Sequence, residues 1–198
     1  MVMSRTTLML AVMALGSSGS MARADGLGKK EVLAIAGKLA QQIAMPAEKR
    51  VLVEKRLAAV MDDAKFHAKY GNTPIRGVLA YQIGEGGLIV GVKKGHGVAK
   101  LAGEAGDAKV AFKGVTVGAQ IGGSSEWGLG LVLGLTSPRA FGGDYSGTAA
   151  AATMAETGTA VMELTSKGAD AHKVYLIGTA AGASANAGGS QLTIDVTR

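Results

Sequence analysis

Apolar side chains recur with the spacing of an α-helix through the first part of the chain. Over residues 29–44 they fall on one face, and this face comprises Val32, Ile35, Ala36, Leu39 and Ile43. Pro46 interrupts the pattern and suits the first turn of a second helix. The spacing then returns from 47 to 69 with Val53, Leu57, Val60, Met61, Ala64 and Ala68. The pattern predicts two N-terminal helices, each with one apolar face.

After Pro74 the apolar period shortens to about two residues, which is the period of a β-strand. The predicted strands cover residues 76–83, 87–93, 96–102, 109–113, 115–121, 127–135, 159–164, 173–179 and 190–196. Glycine-rich segments such as Gly95-His96-Gly97 separate them and are interpreted as turns. Many short strands with such turns predict an antiparallel β-sandwich or barrel, and the two helices packed on it make an α+β fold.

Two stretches show the strand alternation most clearly. In Lys109-Val110-Ala111-Phe112-Lys113 the two lysines share one face, and the valine and the phenylalanine share the other. In residues 128–135 leucines alternate with Gly128, Gly130 and Gly134. A glycine face allows another layer to approach the backbone closely, and we expect one of the helices to pack there.

The first 24 residues have the features of a secretory signal peptide. Arg5 supplies a positive start, Leu8 to Leu15 form a short apolar core, and Ala22-Arg23-Ala24 fits the small-x-small cleavage rule. The apolar core is far shorter than the roughly 20 residues that a membrane-spanning helix needs. We therefore expect cleavage after Ala24, a single domain over residues 25–198, and a location in the periplasm or outside the cell. The sequence contains no cysteine, so this domain folds without disulfides.

The charge of the chain is positive and unevenly distributed. The formal net charge is +6, and residues 29–69 contain nine lysines and arginines against five acids. A basic surface favours anionic partners, and an exported protein meets anionic lipid or envelope polymers rather than nucleic acid. A lysine cluster in the strand region is the predicted lipid head-group site, and it comprises Lys93, Lys94, Lys100, Lys109 and Lys113. Each lysine near an anionic membrane contributes on the order of 1 kcal/mol to binding.

The residues that enzymes use are not arranged for catalysis. There are three histidines, and no Gly-x-Ser-x-Gly elbow is present. Asp63 and His67 have a spacing that suits one face of a metal-binding helix, but two ligands alone do not make a metal site. The glycines separate strands and lack the Lys-Ser/Thr of a phosphate loop, and aromatic residues are too scarce for base stacking. We expect no enzyme activity, no metal and no cofactor.

Three segments of the strand region resemble the SYLF family. They are Gly77-Val78-Leu79, the Gly95-His96-Gly97 element, and Val117-Gly118-Ala119-Gln120-Ile121-Gly122. The resemblance spans residues 60–198, with a poor match at 139–170 and Ala111-Phe112-Lys113 where the family carries a tryptophan-containing segment. It implies one lipid-binding domain, helical over 29–70 and strand-rich over 75–198, that binds phospholipid or phosphoinositide without catalysis. Actin binding belongs to the eukaryotic members of the family.

Three hypotheses about function remain at this point. The first is a non-enzymatic envelope protein that binds anionic phospholipid. The second is a structural or protein-interaction component of the bacterial envelope that binds another protein or peptidoglycan and no lipid. The third is a hydrolase of unknown type, which would require a His, Ser or Asp essential for turnover.

Overall fold

The computed structural model describes residues 26–86, 90–117, 124–154, 159–179 and 189–198. The predicted signal peptide and most of the Val117 to Gly122 element lie outside the described residues. Within the described parts the chain forms an N-terminal helical layer and an eight-stranded closed antiparallel barrel. The α+β class is therefore confirmed, with the barrel rather than the sandwich as its sheet.

The helical layer contains three helices rather than the two expected from the apolar pattern. They are α1 (Lys29–Gln42), α2 (Ala47–Asp62) and α3 (Ala64–Tyr70). The apolar stripe continues across Asp63, but the backbone of this residue is extended, with φ −73° and ψ 122°. Its side chain accepts a hydrogen bond of 2.7 Å from the amide of Lys65. An N-cap of this kind starts a new helix, so the preference of aspartate for caps overrides the apolar periodicity.

The barrel strands are longer and fewer than the sequence pattern predicts. They are β1 (Ile75–Gly86), β2 (Val90–Leu101), β3 (Ala108–Val117), β4 (Ser124–Leu133), β5 (Gly143–Met154), β6 (Thr159–Ser166), β7 (Lys173–Thr179) and β8 (Gly189–Thr197). Their order around the barrel is β1-β2-β3-β8-β5-β6-β7-β4, and β4 pairs with β1 to close it. Every neighbouring pair is antiparallel, and β8, the last strand in the chain, lies between β3 and β5.

The glycines read as a turn at 95–97 lie inside a continuous strand. A Cβ atom at Gly95 would be 2.3 Å from the carbonyl oxygen of Gln82, and one at Gly97 would be 2.3 Å from that of Ala80. Real Cβ contacts are never this short, so β1 and β2 can approach each other here only because both positions are glycine. The predicted turn is therefore wrong, and two predicted strands merge into β2.

Two apolar clusters hold the fold together, one on each side of the barrel wall. The helices cover an outer cluster that includes Val78, Leu129 and Leu131, while the interior cluster includes Leu79, Phe112 and Leu176. The leucines of β4 thus face the helices, and its glycines face the interior. The expectation that a helix packs on the glycine face is wrong.

The glycine face of β4 instead makes room for a tyrosine inside the barrel. A Cβ at Gly128 would lie 2.2 Å from Cζ of Tyr81, whose ring is fully buried. The Tyr81 hydroxyl donates a 2.5 Å hydrogen bond to the Glu126 carboxylate. Burial raises the pKa of Tyr81 well above its ordinary value of 10, and the charge of Glu126 raises it further. The glycines of β4 therefore leave room for large side chains inside the barrel.

A short 3₁₀ turn, Pro138–Phe141, covers one end of the barrel. Phe141 is fully buried in the interior cluster. Its carbonyl oxygen accepts a 2.5 Å hydrogen bond from the Tyr145 hydroxyl, whose oxygen lies 2.7 Å from Nε2 of His172. Nδ1 of His172 lies 2.9 Å from the carbonyl oxygen of Asp170. This chain of polar contacts connects the 3₁₀ turn to β5 and to the loop before β7.

Helix α3 is attached to the barrel through the Glu163 carboxylate on β6. That carboxylate accepts hydrogen bonds from Lys69, Tyr70 and Lys173. Burial alone raises the pKa of Glu163, but these donors outweigh burial and lower the pKa from 4.5 to about 2. Burial, followed by the hydrogen bond with Glu163, raises the pKa of Tyr70 to about 12.

The three described helices were also compared with the length and hydropathy of a membrane-spanning helix, and none of them meets both requirements.

Candidate functional site

The helices cover the barrel wall around β1, β4 and β7, and the opposite wall carries the basic strand residues. There, the register places polar residues in a row across four strands. Lys94 on β2 faces Lys113 on β3, Lys113 faces Thr193 on β8, and Thr193 faces Asp144 on β5. A second row runs beside it, from Val92 through Val115 to Gln191.

The two rows form the walls of a groove with a volume of about 470 Å³, within the range of ordinary ligand pockets. We call it the basic groove, and its lining residues are Val92, Lys93, Lys94, Lys113, Gly114, Val115, Asp144, Tyr145, Lys167, Gln191, Leu192 and Thr193. Lys167 follows β6, and its backbone amide donates a 2.8 Å hydrogen bond to the carbonyl of Asp144, which fixes it at one end of the groove. The groove therefore combines three exposed lysines, Lys94, Lys113 and Lys167, with two valines.

The three lysines of the basic groove differ in their partners. The Lys113 ammonium lies 2.8 Å from the Asp195 carboxylate on β8, and this hydrogen bond raises the pKa of Lys113 above its ordinary value. Among the described residues, no acceptor contacts the side-chain nitrogen of Lys94 or of Lys167. The carboxylate of Asp144 accepts a 2.6 Å hydrogen bond from Thr193. Two ammonium groups of the groove are thus available to an external anion.

The valines of the basic groove are exposed to an unusual degree for apolar residues in a barrel. Val92 is 50% exposed and Val115 is 42% exposed, and they face each other across β2 and β3. Among the described residues, the other large hydrophobic side chains with comparable exposure are Val51 and Leu52 on α2. An apolar pair beside uncompensated cations suits a ligand that is both anionic and apolar.

Three of the five lysines predicted from the sequence, Lys93, Lys94 and Lys113, line the basic groove, and the Lys93 side chain is the buried one of the three. Lys109 is exposed on the same wall, but lies four residues from Lys113 along β3, or about 13 Å. The Lys100 ammonium donates to the carbonyls of Glu104 and Ala105 at 2.7 and 2.9 Å and is 3.9 Å from Asp107. Lys100 therefore holds the β2–β3 turn rather than a ligand.

Lys93 is buried, with 6% of its surface exposed. Lys93 lies an even number of residues from Ala99 and Leu101 of the same strand, so its side chain points to the same, interior face of the barrel as theirs. Adjacent strand residues point to opposite faces, so the Lys93 side chain points away from that of Lys94, although both residues line the groove. Lys93 is therefore not one of the exposed cations of the groove.

Sequence reasoning missed Lys167, Asp144 and Asp195, which set the charge of the groove. Each of them is distant from Lys94 along the chain and reaches the groove only through the β3–β8–β5 pairing. No local pattern marks them. The valines were visible as strand residues, but their exposure arises because none of the three described helices packs over this wall.

The other polar groups singled out in the sequence have structural contacts. Nε2 of His67 lies 2.8 Å from the carbonyl of Met61, and Asp63 caps α3, so the two side chains do not converge on a metal. No cluster of three or more potential metal ligands occurs among the described residues. His96 is exposed on the outer face of β2, within the strand rather than in a turn.

No protein-family model matches the chain, and the search of curated proteins gives no significant match. Among solved structures, the chain is similar to a β-barrel-like, uncharacterized protein from Brucella abortus, with 19% sequence identity and a TM-score of 0.47. The similarity covers 88% of this chain and 96% of that chain.

Proposed function

We propose that this protein binds anionic phospholipid surfaces through the basic groove and acts without catalysis in the bacterial envelope. The observation that carries the proposal is the pairing of exposed Val92 and Val115 beside Lys94 and Lys167. The ammonium groups attract phosphate, and the valines enter the interfacial region of the bilayer. The predicted signal peptide and the resemblance to the SYLF family support the same proposal.

The magnitude of the interaction favours reversible attachment. Each unpaired lysine near an anionic surface contributes on the order of 1 kcal/mol, and that contribution falls with salt. The two exposed valines add apolar contact that salt does not screen. The groove is therefore expected to require anionic lipid and to release it partly at high salt.

The test is co-sedimentation with vesicles of phosphatidylcholine, with and without phosphatidylglycerol, at low and high salt. Lys94→Gln or Lys167→Gln should each weaken binding about fivefold, since each removes on the order of 1 kcal/mol. Lys109→Gln is the matched control and should change binding less than twofold, because Lys109 lies beyond the screening length of about 8 Å from the groove. If all three variants bind equally well, the basic groove is not the lipid-binding site.

The structural or protein-interaction hypothesis predicts a different result in the same experiment. A protein that binds only another envelope protein or peptidoglycan would sediment with neither type of vesicle. That outcome would reject lipid binding and leave the groove as a candidate surface for an anionic polymer or protein.

A further inference from the structure

A second basic and apolar surface lies on helix α2. Val51 is 61% exposed and Leu52 is 38% exposed, although most of the apolar residues of this helix are buried against the barrel. Lys49 and Lys55 lie three residues before and after Leu52, which places them beside it on the helix surface. We call these four residues the α2 patch.

One of the two acids beside the α2 patch, Glu54, pairs with a cation, whereas Glu48 has no cation partner among the described residues. Glu54 lies 4.0 Å from Arg50, and Asp62 lies 2.5 Å from Lys29. Neither Lys49 nor Lys55 has a carboxylate partner among the described residues. Residues 47–56 contain four lysines and arginines against two acids, so the surface around Leu52 carries a net positive charge.

Barrel topology places the α2 patch opposite the basic groove. Helix α2 packs on β4 and β7, which are neighbours in the barrel, whereas the groove is centred on the β3–β8 pair. In the order β1-β2-β3-β8-β5-β6-β7-β4, four steps in either direction separate these two seams. The helix lysines consequently cannot extend the strand lysines into one patch, and a flat membrane on one face leaves the other face uncovered.

We propose that the basic groove and the α2 patch bind two anionic phospholipid surfaces at the same time, so that the protein bridges membranes. This inference rests on the proposed lipid-binding function of the groove and adds a second lipid-binding face. A helix layer and two barrel walls separate the faces by at least about 20 Å. This distance exceeds the screening length of about 8 Å at physiological salt, so the repulsion between the two bound surfaces is small.

The experiment measures vesicle clustering and vesicle binding side by side. Vesicles containing phosphatidylglycerol are mixed with the protein, and particle size is followed by dynamic light scattering while a parallel sample is sedimented. We expect the wild-type protein to bind and to cluster these vesicles, and to leave phosphatidylcholine vesicles dispersed. Clustering should pass through a maximum as protein is added, because excess protein covers both surfaces and prevents bridging.

Two double variants each remove one face. Lys94→Glu with Lys167→Glu disables the groove, and Lys49→Glu with Lys55→Glu disables the α2 patch. Each should retain binding through the remaining face but reduce clustering more than tenfold. Lys30→Glu on α1 with Lys109→Glu on β3 makes the same change of charge at two exposed positions outside both faces and should cluster vesicles as the wild type does. Circular dichroism confirms that each variant is folded.

The outcomes separate this inference from the function on which it rests. Binding by the wild type without clustering at any ratio of protein to lipid would reject bridging and leave lipid binding intact. Clustering that persists in the α2 variant would also reject it, since a dimer bound through its grooves would then be the bridge. Failure of the wild type to bind would reject both proposals.

Discussion

The carboxylate of Asp195 on β8 lies 2.8 Å from the ammonium group of Lys113 on β3, beside the basic groove. This ion pair neutralises one of the lysines that would otherwise face an anionic ligand. Asp195→Asn removes the negative charge and leaves Lys113 available. We expect binding to phosphatidylglycerol vesicles to strengthen about two- to fivefold, with a larger gain at low salt.

The control for this prediction is Glu104→Gln, which also removes one negative charge but lies near the β2–β3 turn, away from the groove. A gain in binding of similar size in both variants would mean that only the net charge matters. A gain confined to Asp195→Asn would assign the effect to the groove. The measurement is co-sedimentation across a range of lipid concentrations.

Gly128→Ala should destabilise the barrel strongly. The added Cβ would lie 2.2 Å from Cζ and 2.4 Å from the hydroxyl oxygen of Tyr81, whose buried ring has no space to move away. Overpacking of this kind costs about 1–3 kcal/mol or more. Gly168→Ala is the control, since a Cβ there meets no atom within 4 Å. Urea unfolding that gives equal stabilities for the two variants would contradict the packing of Tyr81 against β4.

The Glu163 cluster should make the protein sensitive to acid. The pKa of Glu163 is lowered in the folded state from 4.5 to about 2, so its contribution to stability is complete at neutral pH and is lost as the pH falls from about 5 towards 2. Glu163→Gln should lose about 1–2 kcal/mol at neutral pH, a modest cost because the site is partly solvated. Between about pH 6 and pH 3 the wild type should therefore lose more stability than this variant.

Thermal unfolding at a series of pH values tests this expectation. Glu54→Gln serves as the comparison, because the 4.0 Å pair of Glu54 with Arg50 lies on the surface of one helix. If the wild type and Glu163→Gln decline in parallel on acidification, the attachment of α3 through this carboxylate does not contribute to acid sensitivity.

Tyr145→Phe should weaken the closed end of the barrel. Removal of the hydroxyl leaves the carbonyl of Phe141 and Nε2 of His172 without their hydrogen-bond partner in a buried site. Such groups cost about 1–3 kcal/mol when left unpaired. Relative to the wild type, the variant should show a larger increase in amide hydrogen exchange around residues 138–145 than in β1. Tyr175→Phe should have a smaller effect, since the Tyr175 hydroxyl has no hydrogen-bond partner in the part of the chain described here.

The alternation of apolar and polar residues correctly predicted which side chains share a face in strands where the alternation is uninterrupted, as in β3 and β4. The faces of Lys109 and Lys113 followed correctly from the burial of Val110 and Phe112 between them. The same logic placed the leucines of β4 on one face. Which layer each face meets is a tertiary property, and the helices cover the leucine face because large apolar side chains fill the space between a helix and a sheet.

The burial of the Lys93 side chain could not be predicted from the sequence for a specific physical reason. Reading Gly95 and Gly97 as a turn resets the alternation, so that Lys93 and Lys94 are both free to lie at the surface. The strand is continuous through these glycines, and the phase set by Ala99 and Leu101 carries Lys93 into the interior. Glycine can mark close backbone approach within a strand as well as a turn, and one sequence does not distinguish the two.

The position of β8 between β3 and β5 has a consequence for how the barrel is assembled. The seven preceding strands can pair as one open sheet before β8 docks, with β3 and β5 as its edges. Until β8 docks, both edges present unpaired amides and carbonyls to other chains. Residues 189–197 therefore close the barrel. A chain truncated before residue 189 should aggregate through these edges, and a peptide with the sequence of residues 189–197 should reduce that aggregation.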